Sequence, residues 1–171
     1  MGDHHSFTLI KDDLVFFRGE KSLCSNFYRS PFTDPETGYR FLTVEHYYQF
    51  HKALYSGDQQ SQLEILRTDE AYKVQRIGHQ IKNLNRSGWE ERKISVLYKG
   101  LKLKFSDPIL KNKLREYYVS SPTNRKFIEI SKSNYWGCSY KMVVNNSKNA
   151  DLYGRNNMGK LLTKLDNELF Q

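Results

Sequence analysis

The sequence predicts an α+β fold, a mostly helical single domain with a small β-sheet, and three observations lead there. Helical periodicity dominates from Thr43 onward, while short apolar runs suited to strands stand at Leu14–Phe17 and Phe127–Ile130. No linker, repeat or low-complexity segment divides the 171 residues. Twelve tyrosines and ten phenylalanines offset a modest apolar content, since each aromatic ring brings a large area to a core. The expected organisation is a polar N-terminal extension over residues 1–13 and a domain over residues 14–171.

Leu14 to Phe17 fits a strand ending at Arg18-Gly19, and a second extended piece is expected through Phe27-Tyr28. Ser30 to Gly38 is rich in turn formers, after which Tyr39 to Leu42 returns as a strand. The helix Thr43–Lys52 is the most informative element. Thr43 suits its N-cap, and Val44, Tyr47, Tyr48 and His51 follow the i, i+3, i+4, i+7 spacing of a buried stripe. Glu45, Gln49 and Lys52 repeat that spacing on the adjacent stripe, so a carboxylate, an amide and an ammonium point the same way about one turn apart. Such a carboxylate, beside aromatic rings, can act as a base or stabilise a cation. An ordinary solvated polar face is the competing reading, and it is the one that spacing alone favours.

The helix breaks around Ser56-Gly57-Asp58. Leu63, Ile65 and Leu66 then serve one short helix, and Ala71, Val74 and Ile77 a second with Asp69 as its N-cap. Asn83 to Gly88 reads as a loop, and Trp89 to Phe105 as a long helix carrying Ile94, Leu97, Leu101, Lys104 and Phe105. Asp107-Pro108 opens another helix, with Pro108 at its first position, Ile109, Leu110, Leu114 and Tyr118 inward, and Ser120-Ser121-Pro122 closing it. Phe127 to Ile130 forms a strand, followed by a loop with Trp136-Gly137-Cys138 and a polar, flexible stretch from Asn145 to Asp151. The last helix begins near Asn156-Asn157 with Met158, Leu161, Leu162 and Leu165 on one face.

The formal net charge of +8 and pI near 9.4 favour an anionic partner, whether nucleic acid, a nucleotide or a phosphorylated metabolite. No apolar run reaches the length of about 18 residues that a membrane span requires, and the N-terminus lacks the basic-then-apolar order of a secretory signal. Cys24 and Cys138 have no C-x-x-C spacing, which points to a reducing, cytoplasmic setting without a disulfide. His46 and His51 are five apart rather than the i, i+4 of a helical metal pair, so no metal and no cofactor are expected. Gly154-Arg155-Asn156-Asn157-Met158-Gly159-Lys160 opens a helix, where phosphate can bind, but it lacks Walker spacing and a plain glycine turn explains it as well. Trp89 and Trp136 suit either pocket walls or core.

In order along the chain, Ser25-Asn26-Phe27-Tyr28, Thr43-Val44-Glu45-His46-Tyr47-Tyr48-Gln49 with Lys52, Trp89, Leu103-Lys104-Phe105, Ile128-Glu129, Tyr135-Trp136-Gly137 and Gly154 to Leu162 resemble the NADAR family, the riboflavin-intermediate N-glycosidases. The resemblance covers roughly residues 14–166. It implies hydrolysis of an N-glycosidic bond at a phosphorylated ribose. Members of such a family act on ribosylamino-pyrimidine phosphates of the riboflavin pathway or remove ADP-ribose from modified guanine in nucleic acid. Carried over, Glu45 is the catalytic carboxylate, Arg18 and Lys52 lie near phosphate or ribose, Asn26 holds the sugar, and Trp89 and Trp136 wall the base or ribose. Gln49, Gly137, Asn157 and Gly159 complete the implied substrate-binding set.

The chemistry agrees with that assignment, because breaking a C1′–N bond develops positive charge on the ribose that a facing carboxylate stabilises. The family also places an acidic residue shortly before its Trp-Gly pair. Here Ser131, Lys132, Ser133 and Asn134 occupy those positions, so the acid stays open between Glu129, a water-mediated acid and a chain that binds without cleaving. The expected partners are a phosphorylated ribosyl or ADP-ribosyl substrate and nucleic acid, with no obligate protein partner and no membrane. Removal of ADP-ribose from guanine is the leading expectation. Clearance of riboflavin intermediates and a non-catalytic ADP-ribose-binding or nucleic-acid-binding module are the alternatives.

Overall fold

The computed structural model describes residues 6–117, 125–139 and 154–170, and it is α+β. The described chain forms two compact units: one joins the residues up to Ser25 with those from Pro108 onward, and the other runs continuously from Asn26 to Asp107.

The first unit is built on a three-stranded sheet. Strand β1 (Phe7–Lys11) turns at Asp12, whose φ of 54° is left-handed, and pairs antiparallel with β2 (Leu14–Arg18) from Phe7↔Arg18 to Lys11↔Leu14. Residues 7–11, expected within a polar extension, thus belong to the sheet; Leu9 and Lys11 on its exposed face disguise the strand. Strand β5 (Lys126–Glu129) lies parallel to β2 on the other side, giving the order β1-β2-β5. Phe16, Ile128, Ile130 and Cys138 form one core cluster here, with Phe7 and Leu14 packed against it.

Helices α5 (Pro108–Glu116) and α6 (Asn157–Phe170) complete this unit. Leu114 of α5 is fully buried, but Ile109, expected inward, is exposed, since a helix turned to bury Leu114 carries position 109 outward. Tyr118, Ser120–Pro122 and Asn145–Asp151 lie outside the described residues. Arg125 and Asp166, both fully buried, pair at 2.7 Å between Nη2 and Oδ1. The same guanidinium donates to the Leu114 carbonyl at 3.2 Å and covers the Phe127 ring, linking α5, β5 and α6.

The second unit is mostly helical. A hairpin of β3 (Phe32–Thr33) and β4 (Arg40–Phe41) precedes α1 (Val44–Ser56), α2 (Gln59–Arg67), α3 (Ala71–His79) and α4 (Arg86–Lys104). Helix α1 is central and packs on α2, α3 and α4. Phe41, Tyr47, Phe50, Ala53, Ile65 and Val74 make its core. Gly57 at φ 75° ends α1 by donating to the carbonyls of Ala53 and Leu54, a left-handed C-cap that a side chain would oppose.

Four local expectations change in this unit. Phe27-Tyr28 forms turns rather than a strand, because Phe27 stacks on Tyr72 at 4.7 Å and the Asn26 carbonyl receives the N–H of Glu45. Glu70, not Asp69, stands at the N-cap of α3 and makes no side-chain cap bond. Helix α4 begins at Arg86, three residues before Trp89, because Asn85 accepts from the N–H of Gly88 and caps it. Leu63 faces solvent, whereas Ile65 is fully buried, so α2 packs through Ile65 and Leu66.

Candidate active site

The local sequence fixes the start of α1 firmly. Thr43 accepts the His46 N–H at 3.2 Å, its hydroxyl lies 2.8 Å from His46 Nδ1, and His46 Nε2 lies 2.7 Å from the Thr68 carbonyl. A neutral imidazole satisfies all three contacts, with Nε2–H donating to Thr68 and the Thr43 hydroxyl donating to Nδ1. Burial accordingly pushes the His46 pKa below its ordinary value. His46 is therefore a structural bracket between α1 and the end of α2.

With this end pinned, the second stripe of α1 is buried as well as the first. Glu45 is 6 % exposed and Gln49 4 % exposed, and the Gln49 amide donates to Glu45 Oε1 at 2.8 Å. Lys52, one turn further, is half-buried and donates to the Gly78 carbonyl of α3 at 2.8 Å. The solvated-face reading of this stripe is thus overturned by burial against neighbouring helices.

The electrostatics follow from that burial. Loss of water pushes the Glu45 carboxyl up to about 7, although the Gln49 hydrogen bond and the Lys52 charge both act to lower it. Lys52 is lowered by burial, opposed by Glu45 and reinforced by the like charges of Arg86 and Lys93. A carboxyl balanced near neutrality, with a cation close by, can exist in either protonation state at working pH and so suits proton transfer or stabilisation of a developing cation. Among the described residues, Asn26 Oδ1 and Gln49 Oε1 are buried acceptors with no hydrogen-bond partner. Unpartnered buried polar atoms are costly and rare, so each calls for a reason in the surrounding packing or chemistry.

Trp89 is 4 % exposed and packs between Tyr48 and Tyr55, at centroid distances of 5.4 and 5.9 Å. Its neighbours make it a buried wall beside α1. Lys93, also on α4, is nearly buried and pairs with Glu90 at 2.5 Å.

The remaining expected site residues belong to the other unit. Arg18 ends β2, opposite Phe7. Glu129 ends β5; its backbone N–H is held by Asn156 Oδ1 at 3.1 Å and its side chain is partly buried. Asn156, left-handed at φ 48°, also donates through Nδ2 to the Phe127 carbonyl at 2.9 Å, so its side chain clasps β5 at the start of α6. Gly159 allows this closeness, since a Cβ there would come within 2.1 Å of the Phe127 carbonyl. Gly137 closes a turn onto Ser133, and a Cβ there would meet the Glu129 carbonyl at 2.5 Å. Asn157 donates its N–H to the Tyr135 carbonyl at 3.2 Å, while Trp136 is partly exposed and sets its ring at 87° to that of Tyr135. Glycine spacing in this segment is thus accounted for by strand–helix packing.

The NADAR domain matches residues 15–170, nearly the whole chain. The chain belongs to the NADAR family. Within it, this NADAR chain is similar to N-glycosidase R617 of Acanthamoeba polyphaga mimivirus, 29% identical over 170 residues that span 92% of this chain and 96% of that protein. Its fold is similar to that of the E. coli protein YbiA, with a TM-score of 0.70 and 26% identity over 94% of this chain and 87% of that one. The match accounts for the order of motifs that the sequence displays. Sequence reading missed Gly78 and Lys93 beside the α1 face; a lone glycine inside the α3 pattern was the available signal, since glycine weakens a helix unless space requires it.

Proposed function

We propose that this NADAR protein is an N-glycosidase that hydrolyses a ribose C1′–N bond, with Glu45 as the reacting carboxyl and ADP-ribose on guanine of a nucleic acid as the bond's owner. The single observation behind this reading is the buried Glu45, poised near 7 beside the Gln49 amide and the Lys52 ammonium. Family membership and the similarity to a protein named as an N-glycosidase support the reaction type. The +8 charge supports a polyanionic substrate, because a nucleic acid gains from a positive surface over its whole length, whereas a small phosphate needs one local cluster.

In this mechanism water adds to C1′ as the C1′–N bond breaks, and the bonding pair leaves with the nitrogen, which takes up a proton. Ionised Glu45 stabilises positive charge on the ribose and accepts a proton from the attacking water. Lys52 balances substrate phosphate or ribose oxygen charge, and Asn26 Oδ1 accepts from a sugar hydroxyl.

The test offers the unmutated protein and Glu45→Gln two substrates, a guanine-ADP-ribosylated oligonucleotide and a ribosylamino-pyrimidine phosphate, and measures product release. Release from the oligonucleotide alone, lost in Glu45→Gln, supports the proposal. Release from the pyrimidine alone transfers the function to metabolite clearance. No release from either, with ADP-ribose still bound, identifies a binding module.

A further inference from the structure

We infer that Gly78 of α3 is a positioning residue for the Glu45 site: its missing side chain seats the Gln49 amide so that the nitrogen faces the carboxyl, and its carbonyl anchors Lys52. This deepens the reading of Glu45 as the reacting group and rests on it for its functional meaning, although the geometry stands independently.

A Cβ at residue 78 would lie 1.9 Å from Gln49 Oε1 and 2.2 Å from Gln49 Cδ. The amide oxygen therefore occupies the volume that any other residue would fill. Gln49 is buried, its Oε1 lies against Gly78 with no conventional donor among the described residues, and its Nε2 is committed to Glu45 Oε1 at 2.8 Å. An α-carbon hydrogen is a weak donor, so an amide oxygen tolerates this contact, whereas an amide N–H in its place would set donor against donor. The two ends of the amide are thus assigned by their surroundings: oxygen toward the glycine, nitrogen toward the carboxyl.

The same residue holds the third member of the stripe, since Lys52 Nζ donates to the Gly78 carbonyl at 2.8 Å. One backbone position on α3 therefore sets both groups that favour ionised Glu45, without touching Glu45 in any described contact. Gly78 is the next-to-last residue of α3, so the helix carries a glycine near its end at the place where α1 needs room.

The facing charged groups are few enough to interpret a titration. The Glu45 carboxyl is influenced by Gln49 and Lys52, and Lys52 in turn by Arg86, Lys93 and Glu90 of α4. Alanine at 78 keeps the carbonyl for Lys52 but expels the amide. The Glu45 carboxyl then loses a hydrogen bond to its charged form, and its midpoint must rise.

The experiment follows the Glu45 side-chain carboxyl by carbon-13 NMR against pH in glutamate-labelled protein, the resonance being identified by its absence in Glu45→Gln. In Gly78→Ala the midpoint is expected to rise by about one pH unit. In Gln49→Ala it rises similarly, and Gln49→Ala/Gly78→Ala shows no further rise, because the shortened side chain leaves nothing for the new methyl to displace. An unchanged midpoint in Gly78→Ala with a lowered Tm overturns the inference and leaves Gly78 as packing only. Additive rises in the double variant also overturn it. Should Gly78→Ala not fold, a double variant that folds with the Gln49→Ala midpoint supports the inference, and one that fails to fold, or titrates elsewhere, overturns it. The readout needs no substrate, so absence of hydrolysis would refute the proposed function without touching this result.

Discussion

Two buried carboxyls, one in each unit, receive opposite treatment. Asp166 meets Arg125 at 2.7 Å with both side chains sealed from solvent, and that guanidinium is further engaged by the Leu114 carbonyl and the Phe127 ring. Glu45 receives one neutral amide and a more distant ammonium, and burial pushes it up to about 7. The first site compensates the charge by direct contact; the second leaves it incompletely compensated. Burial alone therefore does not mark a functional carboxyl. Burial with insufficient counter-charge does.

The comparison can be broken by exchanging neutral isosteres. Glu45→Gln should reduce hydrolysis by about 10²–10⁴-fold, the general acid/base share of catalysis, with the fold intact by circular dichroism. A variant that retains full turnover removes Glu45 from the reaction. Asp166→Asn should instead lower unfolding stability by about 3–5 kcal/mol in urea titration, since it strands the buried Arg125 charge.

The pH dependence sharpens the contrast. Glu45 has a folded value of about 7 against an ordinary 4.5, so the native state holds the extra proton between them. Stability from this group consequently falls as pH rises from about 4.5 through about 7, and the full penalty, on the order of 3 kcal/mol, persists above that range. Glu45→Gln should remove this slope, so the variant gains on the unmutated protein as pH rises. Parallel stability curves across that window would show that the carboxyl is not held in this way. The smallest expected effect is at the helix start, where Thr43→Ala should cost about 1–2 kcal/mol and Thr43→Ser much less, measured by thermal unfolding.

The α1 helix was legible because its cap, stripe and glycine stop are all local: Thr43, Val44 to His51, and Gly57 each declare themselves in sequence. Burial of Glu45 and Gln49 was not, because residue type on one helix says nothing about a glycine on another. Gly78 sits 29 residues beyond Gln49, and only packing reveals that one occupies the space the other vacates. The strand β1 and the Arg125–Asp166 pair were hidden for the same reason, being defined by partners distant in sequence. Phe27-Tyr28 shows the converse failure, where aromatic residues imitate strand composition while serving a turn.

The continuity of the Asn26–Asp107 unit has a consequence for how the chain is made. During vectorial synthesis all the helices that bury Glu45 have emerged once residue 107 leaves the ribosome, whereas β2 waits for β5, more than a hundred residues downstream by the pairing of Leu14 with Lys126. Local helical contacts form quickly and a parallel strand pairing closed over so long a loop forms slowly. The nascent protein therefore carries the buried Glu45 carboxyl in a finished helical unit before its three-stranded sheet is complete, with the apolar face of the β1–β2 hairpin as the surface most in need of protection during that interval.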